Sequence, residues 1–558
     1  MEAAPSLPDD LHLADYFLYD RLAEGGGGRR AILFGDHTLT YDEIAARSRD
    51  VATVLRDAGL AKGERVLVIL RDIPAFAWAF FGALTAGGVI AMGNPDAPME
   101  SLAHLVSYTE ASIVIAPPRV LAELLPLVGQ ELRHAGGSLR RAFAVDEPET
   151  SGEPFGRASC DELPHTSDLA TAMLELPPER PRFSAKSHRD EPAIWLFTSG
   201  STGHPKAAMH AHGDFAFNTE VFAKGTVQLH RDDVTVSVPR LFFGYATGTN
   251  LLFPFAVGAC AGLFAERPTV ESFLAAIARY RPTVLTQVPT MMGKLLDEDE
   301  RRRSRGEAPI DLSSVRFSYS AGEALPEPLL RRWQARFASD VYDGIGSAEM
   351  FHIYASNRPG DVRPGTLGRV VQGYELRILQ EDAAGPGATE VPRGDIGVLW
   401  VRGPSVAFGY FKDRDKSFRT FLGSWCRTGD LFHLDADEYL VFDGRADDLL
   451  KVSGIFVSPL EVESCLMEHP DVALAAVIGA DDQGLVKPKA FVVPRREAMP
   501  RLASEAGERA FTASLQDHVK SRLAKHKYPR WIVFCEDLPK NDRGKVDKKL
   551  LKSQEKGA

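Results

Sequence analysis

Thr198-Ser199-Gly200-Ser201-Thr202-Gly203-His204-Pro205-Lys206 follows directly on the apolar run AIWLF at 193–197. Two glycines let the backbone approach a ligand and turn N–H groups toward it, the hydroxyls add neutral donors, and the lysine adds charge, a set that suits a polyphosphate. The loop is not of the Walker type, which needs four residues between its glycines and a Lys-Ser or Lys-Thr pair opening a helix. Here Ser201 and Thr202 alone separate the glycines, and Pro205 precedes the lysine. A Gly/Ser loop by itself is usually only a turn; the density of hydroxyls and the terminal lysine set this one apart.

Outward from the loop, apolar runs of strand length (RVLVIL at 65–70, SIVIA at 112–116, AIWLF at 193–197, TVLTQV at 283–288) alternate with segments of helical period, which indicates α/β layering. The stretch AFAWAFFGALTAGGVIAMG at 75–93 is long and apolar enough to span a bilayer. Gly87-Gly88 argues instead for a buried helix through Thr85, a turn, and a short strand from Val89. PPERPRFSAKSHRD at 177–190, the solvated run RRRSRGE at 301–307 and the turn AAGPGATEVPRGD at 383–395 are expected as loops within a large body, as is Gly25–Gly28. From Gly444 the texture changes to GRADDLLKVSG, followed by about 110 residues ending in a Lys-rich tail, a plausible domain size. The expected division is residues 1–446 and 447–558.

The 558 residues suggest three or four structural units by length, and 44% hydrophobic composition can bury several cores. A net charge of −11 argues against nucleic acid as the main partner, because phosphate neutralisation needs a basic face. The tail from Lys520 to Lys556 reads as a solvated or phosphate-facing surface, with Lys540, Lys548 and Lys549 solvated. The five cysteines are scattered without CxxC spacing, so no zinc site or disulfide framework is expected. The acidic N-terminus lacks a secretory pattern. A cytoplasmic protein without membrane attachment is the expectation.

At the loop the sequence resembles the adenylate-forming superfamily of acyl-CoA ligases, nonribosomal adenylation domains and luciferases, whose signature has the form T-S-G-S-T-G-x-P-K. Further motifs follow in that family's order: Ser320-Ala321-Gly322-Glu323-Ala324, Tyr342-Asp343-Gly344-Ile345-Gly346-Ser347-Ala348-Glu349, Trp425-Cys426-Arg427-Thr428-Gly429-Asp430, Gly444-Arg445-Ala446-Asp447-Asp448 and Pro539-Lys540-Asn541-Asp542-Arg543-Gly544-Lys545. The resemblance spans about residues 30–552. It implies an α/β fold, with a large N-terminal domain of layered sheets and helices and a small mobile α+β C-terminal domain.

A carboxylate is a poor electrophile until its oxygen is replaced by a better leaving group, and the resemblance implies exchange for AMP by in-line attack on the α-phosphorus of ATP. It implies that Thr198, Ser199, Gly200, Ser201, Thr202, Gly203 and Lys206 hold the β- and γ-phosphates, and that Glu349 binds magnesium. Asp430 would accept the ribose hydroxyls with Arg445 beside it, while Gly322, Glu323, Ala324, Asp343 and Gly344 would border the adenosine. Lys545 matches the catalytic lysine. Asp447 matches the hinge about which the small domain turns for the second reaction, and Ser453-Gly454 the tunnel for the thiol of coenzyme A. The family's threonine before the magnesium glutamate is Ala348 here, so one phosphate donor is missing.

Arg240-Leu241-Phe242-Phe243-Gly244-Tyr245-Ala246 and Glu349-Met350-Phe351-His352-Ile353 resemble the benzoate-CoA ligase branch. That likeness places Gly244, Tyr245, Ala321, Gly344, His352 and Ile353 around an aryl ring. Gly244 stands where alanine is expected in benzoate enzymes, which would leave room for an amino or hydroxyl substituent. LFFGYA has no aspartate to pair an amino acid's ammonium, so amino-acid activation is disfavoured. The alternatives are a free-standing enzyme that loads a carrier protein, whose first half-reaction is identical, and a noncatalytic nucleotide-binding relative.

Overall fold

A computed structural model describes residues 5–135, 138–148, 154, 156–177, 183–198, 205–448, 450–452, 455–482, 485–539 and 546–556. Two sheets dominate. In one, seven strands run in the order Thr166–Asp168, Arg141–Ala144, Ala111–Ala116, Arg65–Val68, Val89–Met92, Pro192–Thr198 and Lys206–Ala211, parallel except for the last pair. The other has nine strands, Arg369–Val370, Ile353–Ser356, Asp340–Gly346, Phe317–Ser320, Val284–Gln287, Val234–Ser237, Cys260–Leu263, Arg30–Phe34 and His37–Thr40, with antiparallel pairs only toward its two ends. The four apolar runs expected as strands all lie in these sheets.

Strand periodicity sets the layers, because successive side chains face opposite sides. Ile32 and Phe34 share one core with Val66, Val68, Ile90 and Ile194 of the other sheet, whereas Leu33, Val236, Leu285 and Val341 pack on the far side with the helices Val270–Tyr280, Pro289–Ser304 and Glu327–Phe337. Leu67, Ile69 and Val114 face outward from the seven-stranded sheet, toward Met99–Thr109 and Pro118–Ala135. Parallel strands covered on both faces read as continuous apolar runs for this reason.

Between the sheets lies the helix Pro74–Thr85, all twelve of whose residues are buried. Pro74 opens it without cost, since the first N–H of a helix has no internal partner. Val89–Met92 follows as the expected strand. Its uniform hydrophobicity thus comes from being enclosed on every side, at about 1.5–3 kcal/mol for each fully buried Phe. No helix among the described residues is long and apolar enough to cross a membrane.

An antiparallel sheet of five strands (Glu375–Leu379, Gly397–Arg402, Phe421–Leu422, Trp425–Leu434, Leu440–Arg445) leads to a short turn, Ala446–Asp448. AAGPGATEVPRGD spans the gap between the first two of these strands, as expected. RRRSRGE differs from its reading as a loop: Arg301 to Ser304 close the helix Pro289–Ser304, and Arg301, Arg302 and Arg303 pair with Glu298 and Asp299 one turn back. Beyond the turn, the strands Val472–Asp482, Leu485–Pro494 and Trp531–Phe534 pack with Pro459–Met467 and Glu505–Arg522 around a separate core. The tail is less solvated than its composition implies, because Lys548 meets the buried Glu463 at 2.6 Å, Lys527 meets Glu461 at 2.6 Å and Lys552 meets Asp448 at 3.3 Å. Lys549 also has an interaction partner, and Lys540 lies outside the described residues. All five cysteines are free.

Candidate active site

The segment Thr198–Lys206 joins two paired strands. Register pairs Thr198 with Lys206, so Pro192–Thr198 and Lys206–Ala211 enter and leave it as antiparallel neighbours at the sheet edge. Ser199, Gly200, Ser201, Thr202 and Gly203 lie outside the described residues, as do Ser453, Gly454 and Lys545. Lys206 is half-buried, with its ammonium 2.9 Å from Asp413 and 5.7 Å from the centre of the Tyr410 ring.

Two of the other motifs lie at or near the ends of the strands Phe317–Ser320 and Asp340–Gly346 of the nine-stranded sheet, the usual place for a site in an open α/β sheet, while those with Asp430 and Arg445 lie on the antiparallel five-stranded sheet. Ala321-Gly322-Glu323-Ala324 follows Phe317–Ser320, and Ser320 is paired in register with Asp343 on the next strand. Thr290 donates to Glu323 at 2.9 Å. Asp343 is buried, and its Oδ1 has no hydrogen-bond partner among the described residues. Burial pushes its carboxyl up to about 8. Gly344 pairs with Ser356, and a Cβ there would stand 2.9 Å from the Ala355 carbonyl oxygen.

Between Asp340–Gly346 and Ile353–Ser356 the chain makes the turn Ala348–Met350, which presents Glu349. Tyr410 donates its hydroxyl to Glu349 Oε1 at 2.7 Å, which leaves the carboxylate's other acceptor sites for a hard cation. Asp430 and Arg445 face each other across adjacent strands, Arg445 Nε standing 3.7 Å from Asp430 Oδ1. Gly429 takes φ +77°, a conformation that favours glycine. Cys426 is buried near both Glu349 and Asp430; burial and then those carboxylates hold its thiol well above the usual range, so it stays protonated. Asp447 lies within the turn Ala446–Asp448.

Of the residues expected around an aryl ring, Ala321 and Ile353 lie in the core between the two sheets with Tyr245 packed against it, and His352 stands beside Tyr245. His352 is buried against Phe222, Phe253 and Tyr245, and its Nε2–H donates to the Tyr245 carbonyl at 3.1 Å. A Cβ on Gly248 would sit 2.6 Å from the imidazole, so this glycine, which no motif flags, admits the ring. Gly244 requires a correction. A Cβ there would lie 3.2 and 3.3 Å from the two terminal methyls of Leu196, so the volume that the glycine gives up is taken by that side chain rather than left open.

Burial brings His352 down to about 4, below its unfolded value of 6.5. The unfolded chain therefore binds the extra proton first as pH falls, and the stability that the neutral imidazole contributes is complete above pH 6.5 and lost on descent through about 4. Thermal unfolding followed from pH 7 to 4.5 should show this loss, at up to ~1.4 kcal/mol per pH unit, and His352→Gln should flatten it. His212, brought to about 3 by burial and then by His12, has the same sign and keeps part of the slope in the variant. An unchanged slope in His352→Gln contradicts the assignment.

Other contacts were not legible as motifs. Arg240 is buried against Asp72 at 3.6 Å, Asp72 also accepts the Leu241 N–H at 2.9 Å, and Arg240 donates to the Phe264 and Glu266 carbonyls. This ties the pocket-lining segment to the seven-stranded sheet. In the C-terminal region Cys465, Glu468 and His518 bring ligand atoms within 4.8 Å of one another, but Arg522 reaches Glu468 at 3.3 Å and already supplies the positive charge.

A family described as AMP-binding enzyme matches residues 19–411, and its C-terminal domain family matches residues 461–545. The chain is 38% identical to a benzoate–CoA ligase of Thauera aromatica, over 99% of this chain and 97% of that one. Among solved structures it resembles the anthranilate CoA ligase AuaEII in complex with anthranoyl-AMP (33% identity, TM-score 0.85, 98% of both chains). It also resembles a benzoate CoA ligase from Burkholderia xenovorans LB400 (35% identity, TM-score 0.82, 97% of this chain and 99% of that one).

Proposed function

The chain belongs to the AMP-binding enzyme family of adenylate-forming ligases, and we propose that it activates benzoate or an amino- or hydroxybenzoate as the aryl adenylate and transfers the aryl group to coenzyme A. The observation that carries the reading is likeness over nearly the full chain to ligases named for benzoate and anthranilate. The reaction class, an AMP-forming acid–thiol ligase, follows from the same comparison.

In this reading Thr198, the hairpin glycines and hydroxyls, and Lys206 bind the β- and γ-phosphates. Lys206 then exchanges Asp413 for phosphate oxygen. Asp430 accepts the ribose hydroxyls, and Arg445 adds a donor beside it. Asp343, neutral near pH 7 because of its burial, offers one O–H donor and one acceptor, which complements the amino and ring-nitrogen edge of adenine. Magnesium, held by Glu349, neutralises phosphate charge when bound. His352, Tyr245 and Ile353 exclude water from the aryl ring, and Lys545 brings positive charge to the acid's carboxylate and the α-phosphate.

Purified protein incubated with ATP, magnesium and a panel of benzoates, with and without CoA, tests the reading through AMP release and thioester mass. Aryl-CoA formed only with every component present is the expected result. Adenylate that ignores CoA would point to a carrier-protein acceptor, and no adenylate with any acid would overturn the proposal. Turnover of unsubstituted benzoate alone would remove the substituted acids from it.

The boundary between the large and small domains runs, in the same reading, through the turn at Asp447. Asp447→Pro, which locks one backbone angle, should impair thioester formation more than adenylation when the two half-reactions are assayed separately. Equal losses would argue against a hinge there.

A further inference from the structure

We propose that His210, set by Asp214, is a positioning residue that holds the backbone immediately ahead of Glu349, so that a single strand fixes both the phosphate hairpin and the metal-site turn. His210 is fully buried; its Nδ1 lies 2.7 Å from Asp214 Oδ2 and its Nε2 lies 2.7 Å from the Ala348 carbonyl oxygen. A carbonyl can only accept, so Nε2 carries a proton and donates it. One further proton lies between Nδ1 and Oδ2, and the pair has no net charge. Asp214 is itself buried and fixed, its Oδ2 accepting the Ala211 N–H at 3.1 Å.

Burying such a pair is costly, and apolar side chains of the same volume would serve the core at least as well. What apolar side chains lack is a directed N–H. The turn that receives it needs an anchor: Phe351, directly after Ala348–Met350, has φ +66° and ψ −59°, with His352 N–H donating to the Met350 carbonyl at 2.9 Å. That is a γ-turn of the rare, strained kind. Ala348 has no polar side-chain atom with which to brace the turn, so its backbone carbonyl is the group that His210 can hold. His210 lies four residues beyond Lys206 on the strand Lys206–Ala211, and alternation puts the two on one face. The strand therefore spans from the candidate phosphate cation to the peptide before the candidate metal carboxylate.

The inference rests on Glu349 as the metal-binding carboxylate of an adenylating enzyme. Its test compares the full-length parent with His210→Phe, which keeps a ring but loses the donor, and His210→Gln, whose amide N–H can reach the same carbonyl. In the Phe variant, pyrophosphate exchange should fall about 10- to 100-fold, the scale of losing a group that orients a metal ligand. Affinity for Mn2+ in the presence of a non-hydrolysable ATP analogue, read by electron paramagnetic resonance, should fall by a similar factor. Thioester formation from synthetic benzoyl adenylate and CoA should keep its parental rate, and the Gln variant should recover most of both losses. Parental exchange and Mn2+ affinity in the Phe variant would overturn the inference, as would equal loss of both half-reactions or a Gln variant no better than Phe. If the parent forms no adenylate with any acid, the underlying reading has failed, and the Mn2+ measurement still decides for or against His210.

Discussion

Lys545→Ala is expected to form aryl adenylate at least about 10²–10³ times more slowly than the parent, the usual cost of removing one group that stabilises developing charge. In the proposed function the carboxylate and the α-phosphate, both negative, must be brought into contact, and the long stem of a lysine would let a compensating positive charge arrive from the small domain. Pyrophosphate exchange with the preferred acid measures the loss. Transfer from preformed adenylate to CoA should survive, because in the proposed function the lysine acts only in the first half-reaction. A variant that adenylates near the parental rate removes Lys545 from the chemistry.

Asp430→Ala should lower kcat/KM for ATP by about 10²-fold or more, since hydrogen bonds to a charged group are each worth about 1.5–3 kcal/mol and the proposed function has Asp430 accept two ribose hydroxyls. The loss should concentrate in ATP and leave KM for the acid near its parental value. Arg445, 3.7 Å from Asp430, would be left without that carboxylate, so Asp430→Asn, which keeps the volume, separates charge from packing. Equal changes in the KM of ATP and acid would show that the substitution disturbs the pocket as a whole.

The parallel strands and the buried helix were legible because burial on both faces forces continuous apolar runs, and Gly87-Gly88 marked where Pro74–Thr85 had to end. The order of strands was not legible, since nothing local in RAILF at 30–34 shows that it pairs with Cys260–Leu263. Glu349 and Asp447 stand in turns and Ala321–Ala324 just past a strand end, where local chemistry is distinctive, whereas Asp343 and Asp430 lie within strands and are marked by the glycine beside each. Tyr410, Gly248 and Leu196 act through contacts between distant segments and have no such signature. Gly244 shows the limit from the other side: a missing methyl in one segment reads as space, but a leucine 48 residues earlier fills it. His210 did leave a trace, as a polar residue in phase with Lys206 on an otherwise apolar strand.

The pairing of Ile32 with Ala261 also bears on how the chain is made. During synthesis the strand Arg30–Phe34 emerges long before its parallel neighbour, and at 5–20 residues per second the wait is roughly 10–50 s. Through that interval an apolar strand and the helix Pro74–Thr85, apolar but for its last residue, have no finished sheet to lie against. Nascent chains stalled between residues 100 and 250 should therefore bind chaperones strongly and resist release, whereas the C-terminal region, whose core is its own, should collapse soon after it leaves the ribosome.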